Sequence, residues 1–271
     1  MQTILLVFKV LFYSMHFYNN KRIYKLIRKY HTMKIVVISD IHGNLEALNR
    51  VLEYIENMED ENRIVCLGDI IGYGPDPAEC FKIVESLTDK ICLGNHEYAI
   101  PEEDFDYQMT MCAREAIRWT RGILGEENSE AISRLPIQIE EDNVLYVHAS
   151  PDDPMQWKYI TNARNAYSSL IEMKHSLCFV GHSHIPGIYA YNELQGDSNK
   201  VTLSRDDKTI VNVGSIGQPR DGSPMLSFAV FDDDNWSVEI IRLEYDYQET
   251  MAKIEKANLP LFLAERLAKG V

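Results

Sequence analysis

The chain has 271 residues, 45% of them hydrophobic and 25% charged, with a formal net charge of −14. That composition excludes a disordered chain and supplies enough apolar mass for a sizeable core, in one large domain or two small ones. Residues 1–32 hold six Lys or Arg and no acid, so the rest carries −20; such a body repels a phosphate polymer at long range and argues against a processive nuclease.

The stretch 3–18 is apolar but broken by Lys9, Ser14 and His16, and a basic segment, 21–31, follows it. It is short for a membrane span and lacks the basic leading region and small-residue cleavage site of a secretory signal. We expect Met33 to be the physiological start and 1–32 to be an upstream over-extension. The alternative is a membrane-surface segment, apolar plus basic, and membrane contact is expected only if residues 1–32 are genuine.

From Lys34 the pattern becomes regular. Residues 34–39 read as a buried strand, and Leu45, Leu48, Val51, Leu52 and Ile55 then recur at helical spacing behind Asn44, a capping residue. A strand over 63–67, a Gly/Pro-rich loop, a helix from about 78 to 87 and a strand over 90–93 follow, which together read βαβαβ and favour a parallel sheet with right-handed crossovers. Helices are expected over 107–121, 126–134 and 161–173. Strands are expected over 136–140, 143–148, 177–180, 187–191, 210–213, 226–232 and 236–243, and two short helices, 246–257 and 260–268, close the chain. Asp232, Asp233 and Asp234 read as a solvated turn. Residues 33–271 read as one domain. Cys66, Cys92 and Cys178 fall in apolar runs and no Cys-x-x-Cys pair occurs, so the five cysteines read as buried hydrophobes in a reducing cytoplasm.

The polar residues that carry chemistry fall just after apolar strands. Asp40 and His42 follow the first, Asp69 the second, Asn95 and His96 the third; His148 ends a later strand, and His182 and His184 follow another. Loops at the carboxyl ends of parallel strands gather on one edge, where ligands bind. Each piece has a bland reading, as a capping Asp or a satisfied core His; the Gly-Asn-His-Glu run at 94–97 and the Gly-His-Ser-His run at 181–184 are harder to explain by packing. The set offers oxygen and imidazole donors and no thiolate, which suits Mn, Fe, Zn, Co or Ni. Eight donors exceed the needs of one ion and fit two ions sharing a carboxylate, the arrangement that clamps a phosphoryl group for in-line attack.

The series Asp-Ile-His (40–42), Gly-Asp-Ile-Ile-Gly-Tyr-Gly (68–74), Gly-Asn-His-Glu (94–97), Val-His-Ala-Ser (147–150) and Gly-His-Ser-His (181–184) resembles the calcineurin-like metallophosphoesterase superfamily. The resemblance covers about 33–220 and implies an α/β fold, a four-layer α/β/β/α sandwich. It implies that Asp40, His42, Asp69 and His184 hold one divalent ion and that Asp69, Asn95, His148 and His182 hold the other, with Asp69 bridging. Manganese leads, with iron, nickel, cobalt or zinc as alternatives. His96 then matches the residue that contacts the phosphoryl oxygen or protonates the leaving group.

One departure matters. The protein-phosphatase branch carries Asp-Arg where this chain has Gly72 and Tyr73, which puts protein phosphatase activity in doubt. The stretch 68–80 and the segment 212–224 look instead like the bacterial and archaeal branch labelled phosphodiesterase-like or diadenosine-tetraphosphatase-like. Arg220 is the candidate replacement for the missing phosphate-binding fork; the competing reading is a surface Arg paired with Asp221 or another acid. Tyr73 either stacks on a base and lines the cleft or packs its own loop. The expected function is hydrolysis of phosphodiester or related bonds in small phosphorylated molecules, nucleotides first. A dinucleoside tetraphosphate hydrolase is the runner-up, and a non-catalytic interaction module of the same fold is the reading from another class. No stable nucleic-acid partner is expected, and the sequence leaves a homo-oligomer open.

Overall fold

The computed structural model describes residues 33–192, 195–196 and 199–271; the reading of 1–32 as an extension lies outside the described residues. In chain order the elements are β1 (Met33–Ile38), α1 (Leu45–Glu56), β2 (Glu61–Cys66), α2 (Pro77–Leu87), α3 (Asn95–Tyr98), α4 (Met111–Leu124), α5 (Glu126–Ile132), β3 (Gln138–Glu141), β4 (Val144–Val147), α6 (Ala163–Glu172), β5 (Leu177–Val180), β6 (Gly187–Ala190), β7 (Gln195–Gly196), β8 (Lys200–Thr202), β9 (Thr209–Asn212), β10 (Leu226–Asp232), β11 (Ser237–Leu243), α7 (Tyr247–Lys256) and α8 (Leu261–Glu265).

The strands form two sheets, ordered β2-β1-β10-β11-β8-β7 and β3-β4-β5-β9-β6. β1 explains why. Its side chains alternate between two faces, and both faces are apolar. Val36 and Ile38 join the layer under α1 and α2, while Ile35 and Val37 join the layer between the sheets with Tyr146, Phe179, Val211 and Phe231. On the far side of the second sheet, Leu145, Val147, Val180 and Ile210 pack against Ala166 and Leu170 of α6. Those three apolar layers make the α/β/β/α sandwich that the resemblance implies.

The parallel pairs are the ones that matter for function. β1 and β2 are parallel in the first sheet, and β4, β5 and β9 are parallel in the second. The expectation of a single parallel sheet for the first βαβαβ segment is corrected in part. Residues 90–93 form no strand. They make one parallel bridge, Cys66 to Ile91, and then turn into α3. β1 pairs on its other side with β10, antiparallel, so the sheet is mixed.

Asp232 also departs from the expected solvated turn. It ends β10, is buried, forms an ion pair with Lys34 at the start of β1, and accepts from the Asn235 backbone N–H at 2.9 Å. No helix among the described residues is long and apolar enough to cross a membrane. All five cysteines are free, and four of them are buried.

Candidate metal centre

The carboxyl ends of β1, β2, β4 and β5 deliver the candidate donors to one place. Asp40, His42, Asp69, His148, His182 and His184 are each at most 5% exposed. Their donor atoms form overlapping groups, Asp40–His42–His184, His42–Asp69–His96 and Asp69–His148–His182. His184 Nε2 lies 3.0 Å from Asp40 Oδ1, and His148 Nε2 lies 3.2 Å from Asp69 Oδ2 and 3.3 Å from Asn95 Oδ1. All seven residues expected to hold ions, and His96 beside them, are therefore brought together.

The histidine tautomers decide what the cluster can hold. His42 Nδ1 is 3.1 Å from the Ile71 carbonyl, His148 Nδ1 is 3.2 Å from that of Leu67, His184 Nδ1 is 2.5 Å from that of Gln218, and His182 Nε2 is 2.8 Å from that of Trp157. A carbonyl only accepts, so each of these nitrogens carries the proton and each ring turns its bare lone pair inward. The inward nitrogens then face one another, His42 Nε2 against His184 Nε2 at 3.1 Å and His148 Nε2 against His182 Nδ1 at 3.2 Å. Facing lone pairs repel unless a cation sits between them, and a backbone carbonyl behind a ligating imidazole is the usual outer support of a metal site. Asp40 Oδ1, 3.0 Å from the bare His184 Nε2, is buried with no hydrogen-bond partner and is a further unsatisfied acceptor in the same region. The residues fit a dinuclear divalent site.

The electrostatics agree. Burial pushes the Asp69 carboxyl up, but His148 and His96 override it and hold the group well below the usual carboxylate range. Burial also opposes protonation of His148, yet the Asp69 and Asp40 carboxylates raise its pKa, so they favour positive charge at its inward Nε2, the place a metal ion would take from a proton. Two ionised carboxylates enclosed in this way demand positive charge at close range.

Glu97 is the residue that sequence reasoning missed as an organiser. It is fully buried. Its Oε2 accepts from the Asp69 backbone N–H at 2.6 Å, and its Oε1 accepts from those of Ile70 and Ile71 at 2.8 and 3.1 Å. It thereby shapes the loop that presents Asp69, whose Oδ1 in turn accepts from the His96 N–H at 2.9 Å. Its place beside His96 in the Gly-Asn-His-Glu run was the available signal.

Gly72 sits at φ +82°, and a Cβ placed there would lie 2.1 Å from His96 Nδ1. Only glycine fits both the backbone and the imidazole. Gly72→Ala is expected to displace His96 and lower turnover by roughly 10²-fold, since a shift near 1 Å has that effect, with two ions per chain retained. Normal turnover in that variant, or loss of ions, would contradict this reading of the contact.

Tyr73 is also at positive φ, and its ring packs at a tilt against those of His42 and His96, with centroids 4.6 and 4.5 Å away. Arg220 reaches the same ring, with its guanidinium carbon 5.8 Å from the centroid; its Nη2 donates to Gln218 Oε1 at 3.1 Å. Asp221 pairs instead with Arg242, so the competing reading of Arg220 as that acid's partner is set aside. Beside His96 and His182 opens a cleft of about 230 Å³, walled by Phe105, Met109, Trp157 and Tyr159. The turn carrying Phe105 is pinned by the Asp106–Arg121 ion pair at 2.7 Å. Tyr159 stacks on His182 at 4.2 Å, and Trp157 holds a left-handed backbone while its carbonyl supports His182. Neither aromatic residue was singled out from the sequence, where both lie in a motif-free stretch.

A profile described as the calcineurin-like phosphoesterase superfamily domain matches residues 33–235. The chain belongs to that superfamily. It is 40% identical to an uncharacterised protein of Methanocaldococcus jannaschii over 245 residues, spanning 87% of this chain and 98% of that one. Its fold matches a crystal structure of a metallophosphoesterase from Sphaerobacter thermophilus with a TM-score of 0.78 and 36% identity, covering 89% of this chain and all of that one. A symmetrical bis(5'-nucleosyl)-tetraphosphatase of Psychromonas ingrahamii is 34% identical over 67 residues, 24% of each chain. This superfamily member is a metal-dependent phosphoric ester hydrolase.

Proposed function

We propose that the enzyme hydrolyses phosphodiester or phosphoanhydride bonds of small nucleotides, using two divalent ions with manganese the first choice. The observation that carries the reading is the adjacency of the inward-facing histidine pairs to an aromatic cleft: a phosphoryl group at the first leaves its organic substituent at the second. Asp40, His42, Asp69 and His184 would hold one ion and Asp69, Asn95, His148 and His182 the other. The ions would supply Lewis acidity at the phosphoryl group.

The chain's own residues do the rest. His96 Nδ1 is sealed against Gly72 without a partner. A buried N–H without an acceptor is unfavourable, so the proton sits on Nε2 and faces the cleft. Burial pushes His96 down to about 4, against the pull of Asp69. The ring is therefore neutral near pH 7, which favours a hydrogen bond from Nε2–H to a phosphoryl oxygen over full proton transfer to the leaving group. Phe105, Trp157 and Tyr159 offer faces on which a nucleobase stacks. Arg220 binds a substrate phosphate in place of the absent Asp-Arg of the second motif.

The acidic body supports a small substrate and no stable nucleic-acid partner, and the unpaired cysteines support a reducing cytoplasm. Hydrolysis of a panel of phosphomonoesters, phosphodiesters and dinucleotides, each with Mn, Fe, Ni, Co and Zn, tests the reading. Metal-dependent turnover of a nucleotide diester or anhydride is expected; turnover restricted to non-nucleotide monoesters would overturn it. On the best substrate, Arg220→Lys should raise KM or lower kcat by about tenfold or more, because one charge-assisted hydrogen bond of a bidentate fork is worth roughly 1.5–3 kcal/mol. Unaltered kinetics in Arg220→Ala would remove Arg220 from the site.

A further inference from the structure

Arg220 is not alone. The last helices bring a second guanidinium to the same aromatic ring. Ile254 of α7, Leu259, Leu263 and Ala264 of α8, and Leu267 bury themselves against Tyr73 together with Ala113 and Ala116 of α4. That packing carries Arg266 over Tyr73, with its guanidinium carbon 5.7 Å from the ring centroid, against 5.8 Å for Arg220. Both distances lie within cation–π range. The closing segment also ties down the loop that bears Arg220, since the Gly222 N–H donates to the Gly270 carbonyl at 2.9 Å. Arg266 Nε donates to the Val271 oxygen. Among the described residues neither arginine forms an ion pair with a side-chain carboxylate, although the body of the chain is strongly acidic.

Two guanidinium cations beside one ring repel each other, and among the described residues the one oxygen that Arg266 Nε meets is that of Val271. Burial lowers Arg266 to about 10, with the Arg220 cation the next cause. The fold holds this arrangement beside a ring that touches His42 and His96. An anion satisfies it. One phosphate already has its place at the donor cluster, so the anion here is a second one.

Resting on the phosphoesterase reading above, we infer that Arg220 and Arg266 form a cradle for a second phosphate of the substrate, linked to the phosphate at the donor cluster. The preferred substrates are then nucleotides with at least two linked phosphates, and Arg266 is a specificity-determining residue. A guanidinium pair suits this task, because each planar fork can hold two oxygens.

The test compares two ligands that differ by one phosphate, AMP and α,β-methylene-ADP, titrated calorimetrically into the manganese-loaded protein. Hydrolysis of bis(p-nitrophenyl) phosphate is followed alongside. The diphosphate is expected to bind about tenfold or more tightly than AMP. In Arg266→Gln that preference should collapse toward one, and Arg266→Lys should keep only part of it. Equal binding of the two ligands by the unaltered protein overturns the inference without recourse to a variant. An unchanged preference in Arg266→Gln of normal melting temperature overturns it as well. If bis(p-nitrophenyl) phosphate is hydrolysed in those cases, the phosphoesterase reading stands and only the cradle fails. Absence of all metal-dependent hydrolysis, with the diphosphate preference intact, would strike the reading and leave the cradle.

Discussion

Replacing Asp69 with asparagine is expected to lower bound metal from two ions per chain toward one or none and to cut turnover by at least roughly 10²-fold. The substitution is nearly isosteric. The amide oxygen of the new side chain can still accept from the His96 N–H, as Asp69 Oδ1 does at 2.9 Å, and Glu97 still shapes the loop through its three backbone contacts. What disappears is the charge that His148 meets at 3.2 Å and His42 at 3.7 Å. Elemental analysis of the purified variant, with kcat measured at saturating manganese, checks it. Two ions and full turnover in Asp69→Asn would show that this carboxylate is not shared between the two sites.

His96→Ala should behave in the opposite way. Metal content stays near two per chain, because the carbonyl-supported histidines are untouched, while kcat falls by roughly 10²–10³-fold, the usual loss for one preorganised donor to a transition-state oxygen. His96→Asn separates the two roles open to this residue. An asparagine side chain retains an N–H donor but cannot transfer a proton at neutral pH, so activity above that of the alanine variant is expected if hydrogen bonding is the task. Equal loss in both variants would favour proton transfer, and full activity in His96→Ala would make the residue structural.

The legible part of this molecule was the part written in strand ends. The run at 177–180 becomes β5 with the expected bounds, and the run at 226–232 becomes β10, because apolar segments bounded by polar clusters have few other ways to bury themselves. The donors followed from the same logic, since a polar group directly after such a run emerges at the sheet edge. Residues 90–93 misled because hydrophobicity signals burial, and burial there is met by a single bridge rather than a ladder. Asp232 misled because a triple acid run reads as solvent-facing, whereas Lys34, 198 positions away, supplies its counter-charge. Arg266 was invisible for a related reason: on a short amphipathic helix an arginine reads as the wet face, and only the docking of Leu263 and Leu267 on Tyr73 turns it inward. Trp157 and Tyr159 carry no motif, and their role depends on a loop returning to His182.

Asp40, His42, Asp69, His182 and His184 all hold a left-handed backbone. Side chains with a Cβ adopt it at a penalty on the order of 1–3 kcal/mol each, so the donor loops are held away from their own preferred conformations by the sandwich around them. Selection for stability and selection for hydrolysis therefore pull against each other at these five positions. A glycine at position 42 or 184 would relax the chain while deleting a candidate ligand. A lineage released from the need to hydrolyse would drift downhill, losing its histidines first and keeping a sounder scaffold, so that silent descendants of such an enzyme should be recognisable by glycines or asparagines where the donors stood.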